Sequence, residues 1–588
     1  MVLRARLFIT TLSLGALGAA GVLCACSDDQ GSGSEPTRDA PKGGSTTGGS
    51  AEPTCTPGAN PGEHQAPEFS MNLSGQTSWF AAPIVVDLDG DGSKELIASY
   101  YSVFVYDERG ALLEELEGGE GRIYAPHVVA DLEGDGTTEI VYGSGSEVYA
   151  YEWRDGAGLL KDGWPASIDS AGTGPEVRGM AAGDLNGDGS LEIAVSTTET
   201  ASEEDGGSQL WVFNASGSVY QPPGLGYDAW PRYNAERGEG NDADRNGQGH
   251  HGYGCYGLNV AIGNLDDDPE LEIVATYDNH HLQVFDHDGV ALQASPWFSN
   301  RASEFQGEGL TYGQFIRWAD PEVEEAHYHE HTGEWPHPSW AEWLQWTHSP
   351  PGVVDLDGDG KSEIVGVPNV ELHEPYETQA YAIMVLEGAH GDGSRAAMRK
   401  QGWETLPRGR APIDVDGYYP PAGVPAVTIA NVQGDSRPEL LVSLNDGLFY
   451  AFAADARELW RYDYTDGRPI VFASEATVAD LNQDGAPEVL FTTFGDPEVL
   501  DSGRLIILAG DGTELFSVPL PDPGKNGNGN GAPAAPTVAD LDGDGQLEIF
   551  VQTFEHGMDV FTVPGSSDNC LLWSTARGGP LRMGQPSQ

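Results

Sequence analysis

Eight times this chain repeats a nine-residue pattern with an acid or amide at positions 1, 3 and 5, usually Gly at 6, and Glu at 9. The first three sets are Asp87, Asp89, Asp91, Glu95; Asp131, Glu133, Asp135, Glu139; and Asp184, Asn186, Asp188, Glu192. The next three are Asn264, Asp266, Asp268, Glu272; Asp355, Asp357, Asp359, Glu363; and Asn431, Gln433, Asp435, Glu439. The last two are Asp480, Asn482, Asp484, Glu488 and Asp540, Asp542, Asp544, Glu548. Carboxylates this close repel one another, so a compact turn that holds them calls for a cation. Hard oxygen ligands at alternate positions, a Gly for the sharp turn and a trailing Glu meet the needs of Ca²⁺. The competing reading is a solvated Asp/Gly turn, and regular recurrence weighs against it.

The copies differ in donor quality. Six are expected to hold Ca²⁺. The fourth is weaker, because Pro269 stands where Gly is expected, and the sixth, with Asn431, Gln433 and Ser436, is expected to be an empty turn.

Each loop lies between short apolar runs, as in PIVVDLDGDGSKELIAS and PTVADLDGDGQLEIFVQT. Further runs rich in Val, Phe and Tyr end in Gly or Asp turns, such as SVFVYDERG (102–110) and HLQVFDHDG (281–289). No sustained helical period competes. A strand–loop–strand unit repeated along a chain implies an all-β fold, a closed β-propeller of eight four-stranded blades, with seven as the alternative. The loops would join the first and second strands of each blade.

These loops between strands resemble the FG-GAP/VCBS repeats of integrin-α-like β-propellers. Pro83, Pro126, Pro175, Pro425 and Pro536, each ahead of a first strand, are similar to the closing Pro of the FG-GAP signature. The resemblance covers residues 69–588 and implies fold and calcium. It leaves function open, since such propellers serve adhesion, ligand binding and catalysis. It also implies that insertions near 221–258, 301–350 and 369–423 lie on the face opposite the calcium loops. A closed ring would bring Cys55 and Cys570 together; they are expected to form a disulfide, with Cys570 in the last strand of the last blade and Cys255 free.

Formal net charge is −63, from 92 acids against 29 bases. That argues against nucleic acid, whose binding depends on neutralising phosphates, and against docking on anionic lipid. Arg4 and Arg6 precede an apolar run from Leu7 to Leu23, the layout of an export signal over 1–25. Leu23-Cys24-Ala25-Cys26 resembles the bacterial lipoprotein signal, with Cys26 acylated. Residues 26–68 read as a Gly/Ser/Pro-rich tether. The expected protein is exported, monomeric and held at an outer membrane, on the cell surface or the periplasmic side, touching membrane only through its lipid.

The insertions concentrate His and Trp: His250, His251, His280, His281, His327, His329, His331, Trp335 and Trp340 are the candidate ligand-binding residues. Three readings stay open: an aromatic platform for a glycan, a transition-metal site on the HYHEH run, or Trp packing beneath a long loop. Asp242, Asp244 and Asn246 with Gly247 resemble a ninth cation loop, or a hydrated turn. The leading expectation is a non-enzymatic binder of a glycan or protein. The alternative is a carbohydrate-active enzyme such as a polysaccharide lyase, with His280, His281, His329 or Tyr312 as candidate bases.

Overall fold

The computed structural model describes residues 53–586, without 75–78, 120, 170–173, 199–209, 221–256, 278–280, 300–308, 314–315, 317–318, 320–342, 347, 372–379, 411–423, 436, 497–499, 501, 522–528 and 555. The signal, Cys26, Cys255, the 242–247 loop, His250, His251, His280, His327, His329, His331, Trp335 and Trp340 lie outside the described residues, as does the His281 side chain.

The chain is all-β, with a four-residue helix at Pro296–Ser299 and a short 3-10 turn at Ala576–Gly578 among the described residues. Each acidic loop closes an antiparallel hairpin. In the first repeat Ile84–Val86 pairs with Glu95–Ser99, followed by Val103–Tyr106 and Leu112–Leu116 in one sheet. All eight hairpins share one register: the residue before the loop faces the trailing Glu, as in Val86↔Glu95, Gly263↔Glu272 and Ala539↔Glu548.

The first and second strands of the repeats are mostly apolar and buried, because each sheet packs against the next, while outer strands such as Leu112–Leu116, Glu458–Asp463 and Glu514–Pro519 are partly exposed. Val105 and Ile140 share a core between the first and second repeats, Val141 and Val195 between the second and third, and Ala194 and Ile273 between the third and fourth. Val274 and Ile364 join the fourth and fifth repeats; Val365, Leu441 and Val489 join the fifth, sixth and seventh; Leu505 and Val551 join the seventh and eighth. Leu96 and Phe550 then pack the first repeat on the last.

Two connections escape sequence order. Glu68–Leu73, N-terminal to the first repeat, pairs with Met558–Val563 and completes the sheet of the last. Cys570 therefore does not lie in the last strand of the last blade. It precedes Leu571–Trp573, which pairs with Thr477–Ala479 of the seventh repeat. Cys570 and Cys55 are disulfide-bonded, with Cα atoms 5.5 Å apart.

The C-terminal tail follows. Carbonyls of Ser574, Pro580, Leu581, Met583 and Gly584 accept the amides of Val538, Val129, Ala182, Ile262 and Val353. Each of these donors lies in the first strand of its repeat. Arg582, fully buried, donates to the carbonyl of His127 at 2.7 Å and to that of Ala576 at 2.9 Å.

Candidate metal centres

The loop geometry follows from its residues. Gly92 at position 6 has φ 94°, in the left-handed region that favours Gly. Its amide donates to Asp87 Oδ2, and the same position 1–to–6 bond recurs at Asp131, Asp184, Asp355, Asp480 and Asp540, at 2.7–3.1 Å. Pro269 has no amide to offer, and position 1 of that loop is correspondingly an amide: Asn264 donates through Nδ2 to the Asp268 carbonyl at 2.5 Å.

The trailing Glu is the most regular feature. In every copy its Oε2 accepts the amide of the apolar residue at position 2, from Leu88 to Leu541, at 2.5–3.0 Å. These position-2 side chains are buried and pin the loop to the core. Burial pushes every trailing carboxyl up: Glu95, Glu139, Glu192, Glu439 and Glu548 to about 7, Glu363 and Glu488 to about 8, and Glu272 to about 9. Neighbouring Asp charges add to the rise at most of them, so an uncompensated loop resists full ionisation.

The copies then diverge. Asp87, Asp89 and Asp91 offer carboxylate oxygens within 4.8 Å of one another, as do Asp355, Asp357 and Asp359, and Asp540, Asp542 and Asp544. Asp266, Asp268 and Glu272 do the same, and Asp268 also converges with Asp286 and His287. Glu272 Oε1 is buried without a hydrogen-bond partner. A buried, unpaired carboxylate oxygen beside two more acids suits a divalent ion at the fourth loop, and the converging Asp sets of the first and eighth loops fit one as well. The fourth, the weak candidate by sequence, thus has a donor set that Pro269 had obscured.

The second loop is different. Lys161 Nζ lies 2.7 Å from Glu133, 3.1 Å from Glu139 and 3.1 Å from Glu152. In the fifth, Lys400 Nζ lies 2.7 Å from both Asp357 and Glu363. In the sixth, Gln433 turns away to the Gly510 carbonyl. The seventh is covered by the N-terminal segment: Gly58 and Gly62 donate to the Gln483 and Asn482 carbonyls, and His64 Nδ1 lies 3.7 Å from Glu488 Oε1. Composition had placed residues 57–64 in the tether. Lys161, Lys400, Asp286, His287 and His64 were not found by sequence reasoning; the paired runs KDGW (161–164) and KQGW (400–403) are the signal that marks the two lysines.

The family model of the FG-GAP-like repeat matches residues 131–195 and 480–551. Those two stretches carry FG-GAP-like repeats. They hold the second, third, seventh and eighth loops, and the same hairpin register extends to the acidic loops outside them. No curated protein sequence matches the chain. Among solved structures the chain is similar to the V. cholerae biofilm matrix protein Bap1, at 16% identity over 85% of this chain and 92% of that one, TM-score 0.35. It is also similar to BamB from Moraxella catarrhalis, at 12% identity over 83% and 97%, TM-score 0.36. A third is the C-terminal WD40 domain of Sif2, at 11% identity over 86% and 100%, TM-score 0.41.

Of the aromatic side chains in and beside the insertions, three that are described are packed. Trp346 is fully buried, and Trp297 lies edge-on to the buried Phe298 at 4.7 Å. Tyr312 is buried with its hydroxyl donating to the Glu387 carbonyl, which removes it as a candidate base. A cleft of about 410 Å³ opens beside the sixth repeat, lined by Arg410, Asp446, Arg461, Asp463, Thr465 and Arg468. Asp446 precedes the third strand of that sheet, Leu448–Phe452, so the cleft lies at the strand ends opposite the acidic loop.

Proposed function

We propose that this chain is an exported, calcium-stabilised surface lipoprotein whose closed, eight-bladed propeller binds an extracellular ligand without turning it over. The observation that carries the scaffold reading is the common hairpin register with a buried trailing Glu in all eight loops. Ring closure is supported by the Glu68–Leu73 strand in the last sheet and by the core shared between first and last repeats. Calcium is supported by the convergent acids and the unpaired Glu272 oxygen. The Leu23–Cys26 run supports acylation at Cys26 and an outer-membrane address. A transition metal at the His-rich insertion is the lesser reading, tested by elemental analysis of the purified chain for zinc, copper and iron.

Ligand binding is placed on the side away from the calcium loops. Its support is the cleft, lined by Arg410, Arg461 and Arg468 in a chain of net charge −63, with Arg461 and Arg468 paired to Glu458 and Asp466 at 3.1 and 3.2 Å and Asp446 and Asp463 beside them. Arg forks match carboxylate and sulfate groups, so a glycan or protein bearing such groups is the favoured ligand. The test is binding of the purified chain to neutral, uronate-bearing and sulfated glycans and to acidic proteins, with Arg410→Ala and Arg461→Ala alongside. Binding of acidic ligands that weakens about tenfold in either variant, with the melting temperature unchanged, supports the reading. Release of unsaturated uronate products, followed by ultraviolet absorbance, would make the chain a lyase instead. Absence of labelled fatty acid from the wild-type chain would remove the anchor, and incorporation that survives Cys26→Ala would move it to another residue.

A further inference from the structure

We propose that Lys161 and Lys400 are built-in counter-cations, and that the second and fifth loops are closed by an ammonium group where the other strong loops use a divalent ion. The inference rests on the calcium reading of those other loops.

The two lysines occupy equivalent places. The Lys161 amide donates to the Ala150 carbonyl and the Lys400 amide to the Val385 carbonyl, both at 2.9 Å. Ala150 and Val385 face Val141 and Val365, each two residues past the trailing Glu. In both repeats a Trp closes the same turn: Trp164 Nε1 donates to the Ala215 carbonyl at 3.0 Å, and Trp403 Nε1 to the Ala454 carbonyl at 2.9 Å. Each indole reaches into the following repeat, so the lysine backbone is held by two sheets.

The chemistry around them also repeats. Glu139 faces Glu152 across the hairpin, and Glu363 faces Glu387. Opposed like charges destabilise a sheet. The eighth repeat has Thr562 opposite Glu548 and has no such conflict. Lys161 and Lys400 are 8% and 6% exposed, so neither ammonium is balanced by water. An ammonium has three donors and no acceptor. Lys161 spends them on Glu133, Glu139 and Glu152; Lys400 takes Asp357 and Glu363. In both loops the captured oxygens belong to positions 3 and 9, and at position 9 it is Oε1, the atom left over once Oε2 has bonded the backbone. In the fourth loop that same Oε1 has no partner. A divalent ion in the second or fifth loop would have to displace or face a buried ammonium a few ångströms away, which is strongly repulsive at low dielectric.

The test counts calcium per molecule of purified full-length protein by elemental analysis after dialysis at fixed free calcium. Asp89→Ala, in the first loop, is expected to lower the count by one. Glu133→Ala and Asp357→Ala are expected to leave it unchanged. Lys161→Met and Lys400→Met are each expected to raise it by one, with Lys161→Arg unchanged. A loss of one ion in Glu133→Ala or Asp357→Ala overturns the inference, whether or not the Met variants fold. A wild-type protein without calcium overturns the calcium reading, and this inference with it. Calcium that is present, lost in Asp89→Ala and kept in Glu133→Ala and Asp357→Ala upholds both.

Discussion

Glu272 Oε2 accepts the amide of Leu265, seven residues earlier, at 2.5 Å, while Glu272 Oε1 is buried without a partner. One oxygen builds the loop and the other is left for a ligand. The Oε2 bond to the backbone recurs at each trailing Glu, while Oε1 meets Lys161 at Glu139, Lys400 at Glu363 and, at 3.7 Å, His64 at Glu488, and has no hydrogen-bond partner at Glu272.

On the proposed calcium reading, chelation should expose the cost of the unpaired Glu272 oxygen. Chelation with EGTA is expected to lower the melting temperature. In EGTA the trailing carboxyls have folded pKa values above their unfolded value of 4.5, with Glu272 at about 9. Their contribution is present below 4.5 and is lost as pH rises through the folded values. The chelated protein should thus lose stability between pH 4.5 and 9. At neutral pH, Glu272→Gln should stabilise the chelated protein and destabilise the calcium-loaded one, each by on the order of 1–3 kcal/mol. Thermal melts across pH, with and without EGTA, check both signs.

The Cys55–Cys570 bond ties the segment covering the seventh loop to the strand beside it, since the Cys570 carbonyl also accepts the Asp480 amide at 3.0 Å. Cys55→Ser should cost about 2–5 kcal/mol. It should also expose Asn482 and Gln483 to hydrogen exchange, and exchange mass spectrometry on that loop would show it.

Arg582 is buried at the junction of the tail with the first strands, and its donors are taken by neutral oxygens. Arg582→Ala would leave several buried carbonyls unpaired, and a loss of roughly 3 kcal/mol or more is expected in denaturant unfolding. Deletion of residues 574–588 should be worse, because the amides of Val129, Ala182, Ile262, Val353 and Val538 lose their acceptors together.

His127, fully buried beneath Arg582 with both ring nitrogens unpartnered, is held neutral: burial first, and then the Arg582 charge, depress it from 6.5 to about 3. Its unfolded form binds a proton that the folded form refuses. The contribution is present above pH 6.5 and is lost as pH falls towards 3. His127→Gln is expected to flatten the fall in melting temperature across that window, measured with calcium present.

Much of the repeat unit was legible in sequence because it is local. Position 1 to position 9 spans one turn, and the hairpin register follows once the turn residues are set. Asn264 with Pro269 reads as a damaged loop only if each position is judged alone; the missing proline amide and the Asn side chain answer one another. The insertions carrying His327 and Trp335 lie outside the described residues, so the ligand readings built on them rest where sequence left them.

The sequence by itself determined the all-β class and the eight hairpins with their acidic loops, since these depend on side chains a few residues apart. Only the tertiary structure decided what completes each loop and each sheet. Lys161 meets Glu133 from just past the strand Ala157–Leu160, Glu68–Leu73 crosses to the last repeat, and the tail past Cys570 returns to strands hundreds of residues earlier. Such contacts carry no local period, because what selects them is burial: an ammonium, a strand edge and a row of first-strand amides each left water only where the folded chain supplied a partner.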